Sequence, residues 1–398
     1  MDERHYSDLT IEADTKVVYL IMDGLGGFRS AERGSELMES RHPALDQLAR
    51  ESACGLMDPV APGITPGSGP GHLALFGYDP EVYQLGRGAL SAAGLGLHLK
   101  PGEVAARCNF ATLGESGNIV DRRAGRPPTE VVAGLCRRVM EQVTIDADFE
   151  LLPEKEHRAL LVLRGADLSP AISDTDPQQV GVPPLSPRPT APGAERTAEL
   201  VAELDRQSRK VLVGEKANVI LMRGFDGVRA MPSFAERYKM RALALASYPM
   251  YIGISRILGM DAPDPHRDLS HQLESLSSQW ATHDFFYFHV KATDSAGEDG
   301  DFARKCAAIE EVDQVVPRIV DLGPDVLVVS GDHSTPTQLA AHSWHPVPVL
   351  LHARGGEVDG VERFDEEACR SGSLGRIRSK ELMPQVLAAA GRLVKYGA

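Results

Sequence analysis

Asp332-His333-Ser334-Thr335-Pro336 follows a short apolar, β-branched run, Val326-Leu327-Val328-Val329, and sets a carboxylate beside an imidazole at its end. Such a run reads as a buried parallel strand. In open α/β sheets, ligands bind beyond the carboxyl ends of the strands. Near the other end of the chain, Val17-Val18-Tyr19-Leu20-Ile21-Met22 runs in the same way into Asp23-Gly24. A third strand, Phe285 to Val290, leads to Lys291, Asp294 and Glu298. The spacing of Asp294 and Glu298 puts both acids on one side of a helical turn. With His342 these acids and imidazoles sit at strand ends or in the loops after them. Carboxylate and imidazole donors suit Mn, Zn, Fe or Mg. Any one aspartate alone is as readily a helix cap or a turn residue. Independent strands delivering the whole set to one edge point to a shared metal site.

Ser68 lies in a loop rich in glycine and proline, Pro62 to His72, expected to be irregular. Its hydroxyl is a candidate nucleophile, because a metal can activate a serine without a histidine base. Flanking glycines let a phosphate approach the backbone. Further on, Arg107, Arg122, Arg123, Arg126, His157 and Arg158 crowd one segment. Arginine grips phosphate and carboxylate through paired N–H groups. A solvated surface explains most charge runs, but a hairpin ending in Asp121-Arg122-Arg123-Ala124-Gly125-Arg126 is well placed to present guanidinium groups to a small anion.

The elements that must position these residues follow an α/β pattern. Helices are expected near Pro43–Glu51, Glu195–Lys210, Phe302–Val320 and Leu382–Tyr396, and strands at Val219–Met222 and Val347–Leu351. From about Leu97 the texture changes to a hairpin, a helix at Thr129–Val143 and a strand at Arg158–Arg164, so a separate α+β lobe is expected over 97–184. The metal-binding core then comprises 1–96 and 185–398, joined to the lobe by the proline-rich stretch Val182 to Pro189.

The chain has 398 residues, 42% hydrophobic and 25% charged, in the range of an ordinary globular protein. A net charge of −14 disfavours nucleic acid or an anionic membrane surface as partner. The five scattered cysteines form no CxxC pair, so neither a disulfide framework nor a cysteine zinc site is expected. The start of the chain lacks a signal-peptide core and no apolar run reaches membrane-helix length, so a cytoplasmic enzyme is expected.

Taken together, the chain resembles the archaeal-type cofactor-independent phosphoglycerate mutases of the alkaline phosphatase superfamily. The likeness is carried by Met22 to Gly26, Pro66-Gly67-Ser68, His72 to Pro80, Gly86-Arg87-Gly88, Arg107 to Thr112, Asp121 to Arg126, Ile172 to Pro177, Lys291 to Asp294, Gly331 to Pro336 and His342-Ser343. The resemblance implies a three-layer core with a mostly parallel sheet and an inserted substrate-binding lobe. It implies two divalent metal ions, one held by Asp23, Ser68, Asp332 and His333, the other by Asp294, Glu298 and His342. Ser68 is implied to carry the phosphoryl group between 3-phosphoglycerate and 2-phosphoglycerate. The implied substrate-binding groups are His72, Arg107, Asn109, Asp121, Arg122, Arg126 and Lys291, with Arg107, Arg122 and Arg126 also acting in catalysis.

This chain departs from the family pattern in places. Glu298 and Gly69 stand where the family usually has histidine and aspartate, and His345 stands where it usually has aspartate. A glutamate donor favours Mn or Mg, with Zn still able to bind. His345 is a further candidate ligand. Two other functions compete with the mutase: a metal-dependent phosphomonoesterase or phosphonate hydrolase on the same core, and a degenerate metal-binding or regulatory protein. The arginine-bearing lobe, which a simple phosphatase does not need, favours the mutase.

Overall fold

The computed structural model describes residues 3–165, 167–227, 231–263 and 265–397. Its strands, in chain order, are β1 (Val17–Met22), β2 (Ala53–Asp58), β3 (Glu103–Leu113), β4 (Ile119–Asp121), β5 (Asp148–Pro153), β6 (Arg158–Arg164), β7 (Val219–Gly227), β8 (Ala242–Leu245), β9 (Phe285–Val290), β10 (Val326–Ser330), β11 (Val347–Ala353) and β12 (Gly375–Arg378). The chain divides into two compact units, one of residues Met1–Gln84 with Met231–Ala398, the other Leu85–Ala230.

The first unit is built on a seven-stranded sheet in the order β12-β2-β11-β10-β1-β9-β8. The pairs β8–β9, β9–β1, β1–β10 and β2–β12 are parallel, and β11 runs antiparallel to β10 and β2. The central strands are apolar at nearly every position because both faces are covered. Val18, Leu20, Met22, Phe286, Phe288, Leu327 and Val329 pack toward the helices Pro43–Arg50, Leu269–Gln279 and Phe302–Asp321. Alternate residues turn the other way: Tyr19, Phe285 and Tyr287 meet Phe76, Phe234 and Met383 of the helices on the opposite face. The α/β class, the mostly parallel sheet and the layered core are those expected.

The second unit is an antiparallel sheet in the order β4-β3-β6-β5, with β7 also paired to β3. Val104, Ala106, Cys108 and Phe110 of β3 pack on one face with residues of the helices Thr129–Gln142 and Glu195–Val211. Ala105 packs on the other with Ala92 of the helix Arg87–Gly94. This unit is larger than the expected 97–184. β7 is a long partner of β3, and the Glu195–Val211 helix fills the same core, so the proline-rich stretch connects two parts of one unit rather than two units.

Local expectations changed in two places. The Pro62–His72 stretch is not wholly irregular, because Ser68 opens a helix, Ser68–Leu75. The C-terminal helix stops at Ala389 rather than near Tyr396. Among the described residues no helix is long and apolar enough to cross a membrane.

Candidate metal and phosphoryl-transfer centre

β10, β1 and β9 are adjacent and parallel, so their carboxyl ends lie side by side. Asp332 and His333 follow β10, Asp23 follows β1, and Asp294 lies in the short helix after β9. All four are buried. His333 Nε2 lies 3.3 Å from Asp23 Oδ1 and 3.2 Å from Asp332 Oδ2. Asp23, Asp332 and His333 form one potential metal-holding group, and Asp294, His333 and His342 form a second, with His333 common to both.

The loops are tied so that donor atoms face one another. Gly24 N–H donates to Asp332 Oδ1 at 3.1 Å. A side chain at Gly24, whose φ is +63°, would collide with Thr335 and Asp294, so only glycine fits. Thr335 Oγ1 bridges Asp294 Oδ1 at 2.7 Å and His333 Nδ1 at 3.0 Å. That bond orients the His333 ring with Nε2 toward the carboxylates. His342 is held in the same manner, its Nδ1 at 3.0 Å from the Pro66 carbonyl, which leaves Nε2 3.6 Å from Asp294 and 3.8 Å from Glu298. Fixing one ring nitrogen on a carbonyl or hydroxyl is how proteins aim the other at a metal.

Among the described residues, buried Asp23 Oδ1 and Asp332 Oδ2 accept no hydrogen bond of good geometry. Buried carboxylate oxygens are normally saturated. Free lone pairs beside an imidazole nitrogen fit a divalent cation, so the residues present match the metal site that the sequence implies.

Fixed positive charge offsets the acids. Burial by itself raises the Asp23 carboxyl, but the Lys291 ammonium, His289 and His333 outweigh it and hold it well below the ordinary range. Burial and the Asp23 charge push Asp332 up, and His333 and His72 bring it down overall. Burial lowers His333, yet Asp332, Asp23 and Asp294 carry it to about 9. Lys291 Nζ lies 3.0 Å from Asp23 and also binds Asp294.

Ser68 is the first residue of its helix, with Oγ 3.4 Å from His333 Nε2. Among the described residues no side chain caps that helix. An uncapped helix start favours a bound phosphate. Gly71 brings the helix against the end of β10, where an added Cβ would sit 2.5 Å from the Asp332 carbonyl oxygen.

Some sequence-selected residues stand elsewhere than expected. His72 is fully buried, its Nδ1 2.8 Å from the Ser68 carbonyl and 3.1 Å from Asp332 Oδ2. That place suits orienting Asp332 better than gripping substrate. Glu298 is more than half exposed, lies 3.8 Å from His342, and among the described residues belongs to neither metal-holding group. His345 stacks on Phe28 at 4.4 Å and binds Ser343, so it belongs to neither metal-holding group. Asp121 accepts from Arg123 and Gly125 N–H and shapes its turn.

The second unit carries the arginines. Alternation along β3 puts Arg107 and Asn109 on the face opposite Cys108 and Phe110. Arg107 stands directly across from Arg223 of β7. Like charges opposed on neighbouring strands are unfavourable, and Glu154, 3.8 Å from Arg107, and Asp176, 3.9 Å from Arg223, offset them. Burial and the nearby Arg87 and Arg107 lower Arg223 to about 10. Burial, with Arg158, Arg123, Arg107 and Arg126, lowers His157 to about 4. Arg122 donates to both oxygens of buried Asp176, at 3.1 and 2.6 Å. Arg126 sits in the turn after β4 with φ +54°.

Sequence reasoning passed over Tyr251, His289, Lys305 and Arg223 as site residues. His289 had a faint signal, an imidazole inside an otherwise apolar strand. Tyr251 and Lys305 had none.

Residues 49–218 match the family model for 2,3-bisphosphoglycerate-independent phosphoglycerate mutase. A Thermus thermophilus protein named as a probable 2,3-bisphosphoglycerate-independent phosphoglycerate mutase is 48% identical over 398 residues, 98% of each chain. The chain belongs to the 2,3-bisphosphoglycerate-independent phosphoglycerate mutases. It is therefore an enzyme of an isomerase family. A Deinococcus radiodurans relative of the same name is 45% identical and covers 98% of both chains. The solved cofactor-independent phosphoglycerate mutase of Thermoplasma acidophilum aligns with a TM-score of 0.69 at 32% identity, covering 94% of this chain and all of that one. A Pyrococcus horikoshii structure aligns at 0.83 with 27% identity, covering 96% and 99%. Family membership favours the mutase over the phosphomonoesterase or phosphonate hydrolase.

Proposed function

We propose that this mutase interconverts 3-phosphoglycerate and 2-phosphoglycerate through a phosphoryl group carried on Ser68. The observation that carries the reading is the placement of Ser68 Oγ 3.4 Å from His333, beside Asp23 and Asp332, at an uncapped helix start. Asp23, Asp332 and His333, with Ser68, are assigned one divalent ion, and Asp294, Glu298 and His342 the other. Two such ions supply charge that makes the serine hydroxyl reactive and neutralises the phosphoryl oxygens. Mn or Mg is the preferred metal, on the hardness of Glu298 as a donor.

The protein's own groups do the remaining work. Lys291, already bound to Asp23 and Asp294, offers an ammonium to the transferring group. Arg107, Arg122 and Arg126, with Asn109, are assigned the carboxylate and phosphate of the substrate. The departing glycerate then presents its other hydroxyl to the phosphoserine. Holding glycerate away from water separates a mutase from a phosphatase. The reading takes the enzyme as cytoplasmic, acting on a small phosphorylated acid, with no nucleic acid or membrane partner.

The test feeds 3-phosphoglycerate to Mn-loaded enzyme and measures 2-phosphoglycerate and free phosphate together. Formation of 2-phosphoglycerate with little phosphate supports the proposal. Phosphate release without 2-phosphoglycerate refutes it.

A further inference from the structure

The backbone of Asp23 is pinned on both sides, its N–H donating to the Val290 carbonyl at 2.9 Å and its carbonyl accepting from Thr293 Oγ1. Its carboxylate is held by side chains. Asp332 Oδ1 accepts from a backbone group, Gly24 N–H at 3.1 Å. Among the described residues the hydrogen bonds to the Asp23 carboxylate come from Tyr251 and Lys291, and both end on Oδ2. The Tyr251 hydroxyl donates to that oxygen, and Lys291 Nζ donates to it at 3.0 Å. Lys291 Nζ also donates to the Tyr251 oxygen at 3.1 Å, which closes a triangle. His289 Nε2 lies 3.3 Å from the same Oδ2. Oδ1 instead faces His333 Nε2 at 3.3 Å and has no hydrogen-bond partner among the described residues.

One oxygen of this carboxylate is thus saturated and the other open. That division suits an acid that gives one oxygen to a metal and keeps the other on the protein. The two donors on Oδ2 are unlike. Lys291 carries its charge on a flexible four-carbon stem, and it is the group assigned to the transferring phosphoryl oxygens. Tyr251 is neutral and fully buried in the helix Pro249–Ile257. Its ring centroid lies 3.8 Å from that of His289 and 4.7 Å from that of His72. Tyr287 lies in the same aromatic layer, 5.7 Å from His72, but among the described residues its buried hydroxyl has no hydrogen-bond partner.

We propose that Tyr251 is a positioning residue, whose hydroxyl holds Asp23 by Oδ2 and so presents Oδ1 to the divalent ion assigned to Asp23, Asp332 and His333. The inference rests on the two-ion reading above. It gives Tyr251 no contact with substrate and no part in the transfer itself. The rigid phenol keeps Asp23 in place while the Lys291 ammonium is shared with the phosphoryl group.

The experiment titrates Mn by calorimetry into the metal-free full chain and compares the parent with Tyr251→Phe, Tyr287→Phe and Asp23→Ala. Asp23→Ala marks which of the two ions Asp23 holds. Tyr251→Phe is expected to weaken that ion about 10- to 100-fold and the other less than about threefold. Its kcat should fall at Mn that just saturates the parent and return to within about threefold at about 100-fold more Mn, with KM for 3-phosphoglycerate changed less than about threefold. A packing defect alone lowers Tm without separating the two ions. Tyr287→Phe is expected to stay within about twofold of the parent for both, since its hydroxyl gives up no bond. Parental affinity for both ions in Tyr251→Phe overturns the inference. So does an equal weakening of both ions, or an equal loss in Tyr287→Phe. Should Tyr251→Phe fail to fold, crystals of the parent grown with Mn decide. Asp23 bound to Mn through Oδ1, with Oδ2 on Tyr251, supports the inference, and Mn on Oδ2 or on both oxygens overturns it. Unchanged affinity for both ions in Asp23→Ala instead removes the two-ion reading, and the inference with it.

Discussion

Lys305→Met is expected to be among the most damaging single changes outside the metal cluster. Lys305 is fully buried in the helix Phe302–Asp321. Its ammonium donates to the Gly26 carbonyl at 3.2 Å and the Thr335 carbonyl at 2.9 Å, and lies 3.7 Å from Glu36 Oε2. It therefore joins the loop after Asp23 to the loop after His333. Burial lowers the Lys305 ammonium despite the attraction of Glu36 and Glu366. The network is thus no strong source of net stability, but removing one partner strands a buried carboxylate. Breaking a buried pair in this way costs about 3–5 kcal/mol. For a unit of this size each kcal/mol lowers Tm by about 2–4 °C, so a fall of about 6–20 °C is expected. Glu36→Gln keeps an acceptor for Thr337 N–H, which now lies 2.8 Å from Glu36 Oε1, while removing the charge. The double variant Lys305→Met/Glu36→Gln should therefore recover at least about half of the loss. The assay is thermal melting of all three variants, with Mn affinity by calorimetry. Mn affinity should fall with Lys305→Met, since the two ligand loops lose their tie. A Tm within about 2 °C of the parent, or a double variant worse than Lys305→Met, refutes the reasoning.

Other expectations follow from the same structure. Asp176→Asn should raise KM for 3-phosphoglycerate about tenfold with little change in kcat, because Arg122 loses its bidentate support; an unchanged or lower KM contradicts this. His157 should titrate near pH 4 by NMR. Its folded pKa lies below the unfolded value of about 6.5, so the unfolded chain takes up the proton first and stability falls as pH drops from about 6.5 toward 4. A pKa above 6 without ligand would contradict the arginine crowding, and bound 3-phosphoglycerate should raise it. Glu298→Ala should weaken one of two Mn ions at least about tenfold, and Glu298→His should shift preference toward Zn; equal Mn affinity at both sites in Glu298→Ala removes Glu298 from the ligand set.

Much of the core was legible because its chemistry sits where periodicity changes. Apolar runs that lead into Asp-Gly or Asp-His announce parallel strands, as β1 and β10 do, whereas β9 is an aromatic run that leads into Lys291. The convergence of Asp23, Asp294 and Asp332 was foreseeable only as a common edge, since strand order is not encoded locally. The lobe boundary was missed because β7 pairs with β3 across more than a hundred residues, and its short apolar run carries no mark of its partner. The glycines and prolines around Ser68 disfavour helix and mark a loop, yet proline is tolerated in a first turn and the helix packs against β10. The roles of Lys305 and Tyr251 were illegible: a lysine in an amphipathic helix and a tyrosine in an apolar one look like surface and core. Only tertiary contact turns them toward buried carboxylates.

Anomalous diffraction at the Mn edge, from crystals of the full chain grown with Mn, tests the central claim most directly. The account predicts two peaks, one among Asp23, Asp332 and His333 with Ser68 Oγ at its edge, the other among Asp294, Glu298 and His342. A fully loaded crystal with no peak at Asp23 and Asp332, or with Ser68 turned away from it, would contradict the account.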